Sequence, residues 1–121
     1  MNKSILKEKS YHFAVRVVKL FKFLQSEKKE YILSKQLMSS GTAIGALVRE
    51  AEFAESKADF FHKLAIAQKK CNESIYWLEL LNETEYLQES EFNSINKDAI
   101  GIIKIITSSI KTVKSKLNTK R

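Results

Sequence analysis

The sequence predicts an all-α fold, an up-down-up-down bundle of four helices. The 121 residues include no Pro and only three Gly, so few positions interrupt a helix. Apolar residues recur every three or four positions through four long segments, and no segment alternates as a β-strand does. Short polar stretches separate these segments, which predicts antiparallel neighbours. We expect one domain over residues 1–121 with a single modest core.

The first helix is predicted at about residues 7–25. Its apolar face consists of residues three and four positions apart, namely Phe13, Val17, Leu20, Phe21 and Leu24. Polar side chains with the same helical spacing form a second stripe, namely Lys9, His12, Arg16 and Lys19. The polar residues that follow, up to Lys29, predict a short connection.

The second helix is predicted at about residues 30–52. Its buried face contains Leu33, Leu37, Ile44, Leu47, Val48 and Ala51. Gly41 and Gly45 lie four positions apart on one side of this helix. A glycine in a helix interior costs roughly 0.5–1 kcal/mol relative to alanine. Two of them together predict that another helix approaches closely at this point.

The third helix is predicted at about residues 57–82. Ser56 followed by Asp59 is a capping signal for its start. The apolar stripe consists of Phe60, Phe61, Leu64, Ala67, Cys71, Ile75, Leu78 and Leu81, widened by Tyr76 and Trp77. Because Cys71 lies within this stripe, we expect it to be a buried apolar residue and not a reactive thiol.

The fourth helix is predicted at about residues 91–117, with Ser90 as its N-cap. A narrow apolar seam consists of Ile103, Ile106, Ile110, Val113 and Leu117, and it is extended by Ile95, Ala99 and Ile102. Ile100 and Ile105 fall outside the main face. A helix that is apolar over so much of its circumference favours a homo-oligomer.

Charge is distributed unevenly around a formal net charge of +7. Residues 1–29 carry eight Lys/Arg against two Glu, and residues 99–121 carry six Lys/Arg and no acid. Residues 30–98 carry seven Lys/Arg against twelve acids. The first and fourth helices are neighbours in the predicted bundle, so the two basic segments lie side by side. This wall is either a solvated surface or a contact surface for an anionic partner.

The residue types of common metal sites and catalytic sites are not assembled in this sequence. A di-iron bundle needs two Glu-x-x-His pairs, whereas this chain offers only Asp59-x-x-His62. A single Cys gives no disulfide framework and no thiolate metal site. We therefore expect no metal, no cofactor and no enzymatic activity. With neither a signal peptide nor a membrane span in the pattern, we expect a cytoplasmic protein.

Two serines and two glutamates could suggest catalysis, but their surroundings in the sequence argue against it. Ser39 and Ser40 have no His at a neighbouring helical position. The carboxylates of Glu50 and Glu73 fall on or near apolar faces. The side chains that could pair with them are Arg49, Lys69 and Trp77. We expect them to be structural.

Rows of cations are the remaining functional signal. On the fourth helix Lys97, Lys104 and Lys111 repeat every seven residues and share one face. Such rows are typical of phosphate binding, and no helix-turn-helix or other sequence-reading module is evident. The predicted function is non-enzymatic binding of RNA or DNA, largely independent of base sequence. The predicted contacts are Lys9, Arg16, Lys19, Lys104, Lys111 and Lys114.

The order of several short motifs resembles a family of small bacterial four-helix-bundle proteins. The family was first noticed as reading frames in intervening sequences of large-subunit ribosomal RNA genes. The chain is also similar to the accessory variability proteins of diversity-generating retroelements. The motifs that carry this likeness are Gln36-Leu37, Ser40, Ala43-Ile44, Leu47, Glu50-Ala51, Ser56, Asp59-Phe60 and Glu73-Ser74-Ile75-Tyr76-Trp77-Leu78.

The resemblance implies a pentamer of bundles with a positively charged surface and no catalytic group. For the retroelement relatives it implies binding to a reverse transcriptase and to nucleic acid. The alternative function is therefore a protein–protein interaction scaffold, such as an accessory subunit of a reverse transcriptase. Ala43, Leu47 and Lys70 depart from the family pattern, where Ser, Asn and an acid are common.

Overall fold

Four α-helices form the computed structural model, which describes the backbone of residues 2–119 and the side chains of residues 5–116. The helices are α1 (Asn2–Ser26), α2 (Leu33–Glu52), α3 (Lys57–Glu83) and α4 (Glu89–Thr119). Each helix packs against the next along the chain, and α1 also packs against α4. Within residues 2–119 the diagonal pairs do not pack together. The predicted all-α, up-down bundle is confirmed.

The buried core takes side chains from all four helices at the spacing that the sequence predicts. On α1 the fully buried residues include Phe13, Val17 and Leu24, while Leu20 packs at the edge. On α4 the buried line differs from the predicted seam. It consists of Ile95, Ala99, Ile102 and Ile106, whereas Ile103 and Ile110 are only partly buried. Because α4 packs against both α1 and α3, its buried face is centred between the two contacts. Leu117 lies outside the described side chains.

The predicted close approach at Gly41 and Gly45 occurs between α2 and α1. A Cβ atom added to Gly41 would lie 2.8 Å from Cγ2 of Val17, closer than carbon atoms can pack. A Cβ atom added to Gly45 would lie 3.4 Å from the carbonyl oxygen of Ser10, which is an ordinary contact distance. Gly41 is therefore required by packing, while position 45 has room for a methyl group.

The start of α2 is fixed by a buried carboxylate. Glu30 is only 7% exposed, and its two side-chain oxygens accept hydrogen bonds from three backbone N–H groups. The donors are Ile32 at 3.1 Å, Leu33 at 2.8 Å and Ser34 at 2.7 Å. These N–H groups would otherwise lack partners at a helix N-terminus. The helix begins at Leu33, later than the predicted Glu30, because Glu30 caps the helix from outside.

The starts of α3 and α4 differ in how well the sequence predicts them. The hydroxyl of Ser56 accepts a hydrogen bond from the N–H of Asp59 at 3.0 Å, which confirms the predicted cap. The prediction of Ser90 as a cap is wrong, because α4 begins at Glu89 and Ser90 lies in its first turn. Glu85, in the connection between α3 and α4, has a φ of 70°.

Replacing Gly41 by Ala should destabilise the bundle by about 1–3 kcal/mol, because the added methyl group forces Val17 away from α2. Gly45→Ala is the matched control. It should be neutral or stabilising by up to about 1 kcal/mol, since alanine favours the helix and meets no clash. Urea unfolding of both variants measures the difference. Equal stability of the two would contradict the close approach at Gly41.

Glu30 should make the stability of the protein depend on acid pH. Burial raises the pKa of this carboxyl, but hydrogen bonds from the N–H groups of Leu33, Ser34 and Ile32 more than offset it, leaving the pKa below its ordinary value. A carboxyl whose pKa is lower in the folded state stabilises the fold above its unfolded pKa. This contribution is lost as the pH falls through the lower, folded pKa.

Glu30→Gln should therefore destabilise the protein by about 1–3 kcal/mol at neutral pH, since an amide replaces the charged acceptor. The variant should also lose part of the acid dependence of the unfolding free energy. Urea unfolding across a pH series measures both effects, with exposed Glu27→Gln as the control. An identical pH profile for Glu30→Gln and the native chain would contradict this role.

Candidate functional site

The two basic helices α1 and α4 lie side by side and are joined by a charged contact. The guanidinium of Arg16 donates from Nη1 to Oδ2 of Asp98 at 2.8 Å and from Nη2 to the hydroxyl of Ser94 at 3.1 Å. This contact joins the two helices. Arg16, one of the predicted phosphate contacts, is thus paired with an acid in the structure. The partner acid lies 82 residues away, beyond the reach of helical spacing rules.

An open groove lies between α1 and α4, with a volume of about 880 Å³. Three exposed lysines line it, namely Lys9 from α1 and Lys97 and Lys104 from α4. Among the described side chains none of the three forms an ion pair. The groove thus brings together two of the predicted contact residues. It adds Lys97, which the seven-residue repeat had already signalled.

The other lining residues give the groove a mixed character. The rings of Tyr11 and His12 are exposed at its rim, and Tyr11 is 57% exposed. The acids Glu8 and Asp98 also line it. The positive charge of Arg16 directly neutralises the negative charge of Asp98. The groove can therefore hold an anion at its lysines, beside the rings of Tyr11 and His12.

Lys19 lies farther along the α1–α4 seam, away from Lys9 and Lys104. It lines a smaller hollow of about 440 Å³, together with Arg16 and Phe23 from α1 and Glu91 from α4. Phe23 is 39% exposed. Like the main groove, this hollow is lined by an acid as well as by cations.

Lys111 and Lys114 are exposed and lie at the opposite end of the seam. Ile5 of α1 lies beside Ile105 and Ser108 of α4, only three residues from the start of α1. Since the helices are antiparallel, α4 continues past the N-terminus of α1 from about residue 111 onward. The six predicted residues therefore form a line of separated groups, with Lys9 and Lys104 in one groove.

Ion pairs also form between charged side chains of α2 and α3. Glu50 pairs with Lys63 at 3.1 Å. The carboxylate of Glu73 accepts from the indole N–H of Trp77 at 3.1 Å and lies 3.7 Å from Lys70. Of the three predicted partners for these acids, Trp77 is used, whereas Arg49 and Lys69 are not. The guanidinium of Arg49 instead lies 5.3 Å from the ring centre of Tyr11.

The interior holds no activated nucleophile among the described residues. Cys71 is buried, its Sγ donates to the carbonyl oxygen of Ala99 at 3.3 Å, and burial raises the pKa of its thiol to about 12. The hydroxyls of Ser40 and Ser74 are buried 2.9 Å apart, which joins α2 to α3. The prediction of a buried Cys71 is confirmed.

Metal-ligand clusters and membrane spans do not occur in the described part of the chain. No three His, Cys, Asp or Glu side chains in residues 5–116 come close enough together to hold a metal ion. None of the four helices, as far as residues 2–119 define them, combines the length and the apolarity needed to cross a lipid bilayer.

Comparison with known proteins gives a match to a family model, similarity to solved structures and one negative result. Residues 2–108 match the family model described as 23S rRNA-intervening sequence protein. The fold is similar to the crystal structure of a protein of unknown function from the S23 ribosomal protein family of Bacteroides thetaiotaomicron, with a TM-score of 0.91. The two are 53% identical, and the match covers 92% of this chain and 99% of that one. No curated protein matches the sequence.

Proposed function

This chain belongs to the family of 23S rRNA-intervening sequence proteins, and we propose that it is a non-enzymatic nucleic-acid-binding protein. Its α1–α4 face contacts the phosphates of RNA or DNA, largely independently of base sequence. The observation that carries this proposal is the groove lined by Lys9, Lys97 and Lys104, which form no ion pair with any described side chain.

A groove concentrates the electrostatic attraction of these lysines. Low-dielectric walls focus the field of like charges, which raises the local concentration of an anionic ligand. Each lysine that neutralises a phosphate displaces a counterion condensed on the nucleic acid, and the release of this ion into solution drives binding at low salt. Lys111 and Lys114 extend the positive surface beyond the groove along α4.

The distribution of acids favours the α1–α4 face over the α2–α3 face. On the α2–α3 side Lys63 and Lys70 are neutralised by Glu50 and Glu73. In the groove the carboxylate of Asp98 is neutralised by Arg16, which leaves Glu8 as the acid opposing three lysines. A polyanion therefore meets more uncompensated positive charge on the α1–α4 face.

Lysine contacts account for the expected indifference to sequence. An ammonium group is a point charge with freely rotating donors, so it binds phosphates without selecting a base. Arg16, whose guanidinium could recognise a phosphate with two hydrogen bonds, is already held by Asp98 and Ser94. While this ion pair is intact, Arg16 does not contribute a free cation to the groove.

The alternative, an interaction scaffold, stays a prediction. Large apolar side chains are exposed, but they lie at separate places. Tyr31 and Ile32 are in the α1–α2 connection, and Phe53 is in the α2–α3 connection at the other end of the bundle. These three side chains therefore lie on no common face, and the other exposed large apolar side chains among residues 5–116 are Ile5, Tyr11, Phe23 and Tyr76. The predicted homo-oligomer, including the pentamer implied by the resemblance, also stays a prediction.

Neutralising two groove lysines should weaken binding, because two phosphates then lack their cations. For Lys9→Gln/Lys104→Gln we expect the slope of log affinity against log salt to become shallower by about 2, roughly one unit for each lysine replaced. Fluorescence anisotropy with a labelled oligonucleotide across a salt series measures this slope. The matched control is Lys35→Gln/Lys69→Gln, which removes the same charge from exposed positions on α2 and α3.

An equal reduction of affinity and slope in both double variants would mean that only total charge matters, and it would contradict a localised surface. Circular dichroism and urea unfolding verify that all variants stay folded. Absence of any binding by the native chain at low salt would contradict the proposed function itself.

Asp98→Asn should strengthen nucleic-acid binding, because it releases the guanidinium of Arg16 from its acid. We expect a higher affinity and a salt slope steeper by about one unit, as one cation joins the contact surface. The control is Glu79→Gln, which makes the same change in net charge at an exposed position on α3. A lower affinity for Asp98→Asn than for the control would show that the ion pair itself is needed to shape the surface.

A further inference from the structure

Close packing does not explain why α4 has a glycine at position 101. A Cβ atom added at this position would meet no atom within 4 Å, in contrast to Gly41. Yet Gly101 lies well inside α4, where glycine costs roughly 0.5–1 kcal/mol relative to alanine. The missing side chain opens space at the surface of α4, and that space belongs to the α1–α4 groove.

The hollow at Gly101 has an apolar wall and a ring-bearing rim. Ile100 and Ile102 line it from α4, and Ile102 is 1% exposed. Tyr11 and His12 line it from α1. A volume of about 880 Å³ falls in the range of sites that enclose small organic ligands. A flat, partly apolar group fits this lining better than a hydrated ion does.

The cations of the same groove indicate what that flat group is attached to. Lys9, Lys97 and Lys104 line the hollow together with its apolar and ring-bearing residues. A nucleotide unit has both parts, a planar base and an anionic phosphate. Bases stacked on aromatic side chains beside a positively charged backbone track are typical of single-strand binding.

We infer that the hollow at Gly101 receives an unstacked base, so that the ligand of the α1–α4 face is single-stranded RNA or DNA. The inference rests on the proposed function and adds the class of ligand. A duplex keeps its bases stacked inside the helix and presents only its backbone to a concave surface. A single strand can turn a base into the groove while its phosphates contact the three lysines.

The test compares two ligands that carry the same number of phosphates. One is a short labelled oligothymidylate, and the other is an abasic phosphodiester of equal length. The native chain should bind the oligothymidylate about tenfold more tightly, since stacking of a base contributes that much. Gly101→Leu places a branched side chain where the base would lie and should abolish this preference. Both leucine and alanine favour a helix over glycine, so the variants should fold.

Gly101→Ala is the matched control and should keep most of the preference, because a methyl group leaves most of the hollow open. Equal binding of both ligands by the native chain would overturn the inference while leaving the proposed function intact. If Gly101→Leu kept the preference, the base would bind elsewhere, and the inference would also be overturned. Binding of neither ligand at low salt would overturn the proposed function as well. A duplex with the same number of phosphates should bind more weakly than the oligothymidylate.

Discussion

The close contact between α1 and α2 at Gly41 is the constraint on which the arrangement of the bundle depends. The backbone of α2 lies against Val17 with no space for a methyl group. On its other side α2 is joined to α3 by the buried hydroxyls of Ser40 and Ser74. These two interfaces are tight. The fourth interface, between α1 and α4, is the least extensively packed of the four.

Unequal packing shapes the proposed binding surface, because the open seam is where the basic helices meet. If α1 packed against α4 as closely as against α2, the groove would be filled by side chains. Instead, Arg16 and Asp98 bridge the two helices, and the groove lies beside that bridge. Lysines that line such a groove keep their long side chains in water, where they can reach a phosphate. The fold thus converts a charge asymmetry along the chain into a localised surface.

The sequence predicts the helices and most of their buried faces, because helical periodicity depends on residues close together in the chain. Gly41 and Cys71 behave as their spacing predicts. The contact of Arg16 with Asp98 is not predictable in this way, since it depends on the alignment of the first and last helices. The same holds for the hollow at Gly101, which is formed by the distance between two helices. The capping role of Glu30 was missed because a glutamate before a helix also resembles a first helical residue.

The six predicted contact residues all carry a positive charge, but they differ in where they lie and in whether they form an ion pair. Lys9 and Lys104 share one groove, whereas Arg16 is engaged in an ion pair. Lys114 lies where α4 extends past α1. A basic stripe in a sequence therefore identifies a face of a bundle, but the depth of the surface and the pairing of its charges follow from helix packing.

An NMR titration of isotope-labelled protein with a single-stranded oligonucleotide would show whether nucleic acid contacts the α1–α4 face. We expect amide signals to shift in residues 9–19 of α1 and in residues 97–111 of α4. Signals of α2 and α3 residues that point away from this seam, such as Lys35 and Lys69, should stay unchanged. Shifts concentrated on α2 and α3, or no shifts at low salt, would contradict the account.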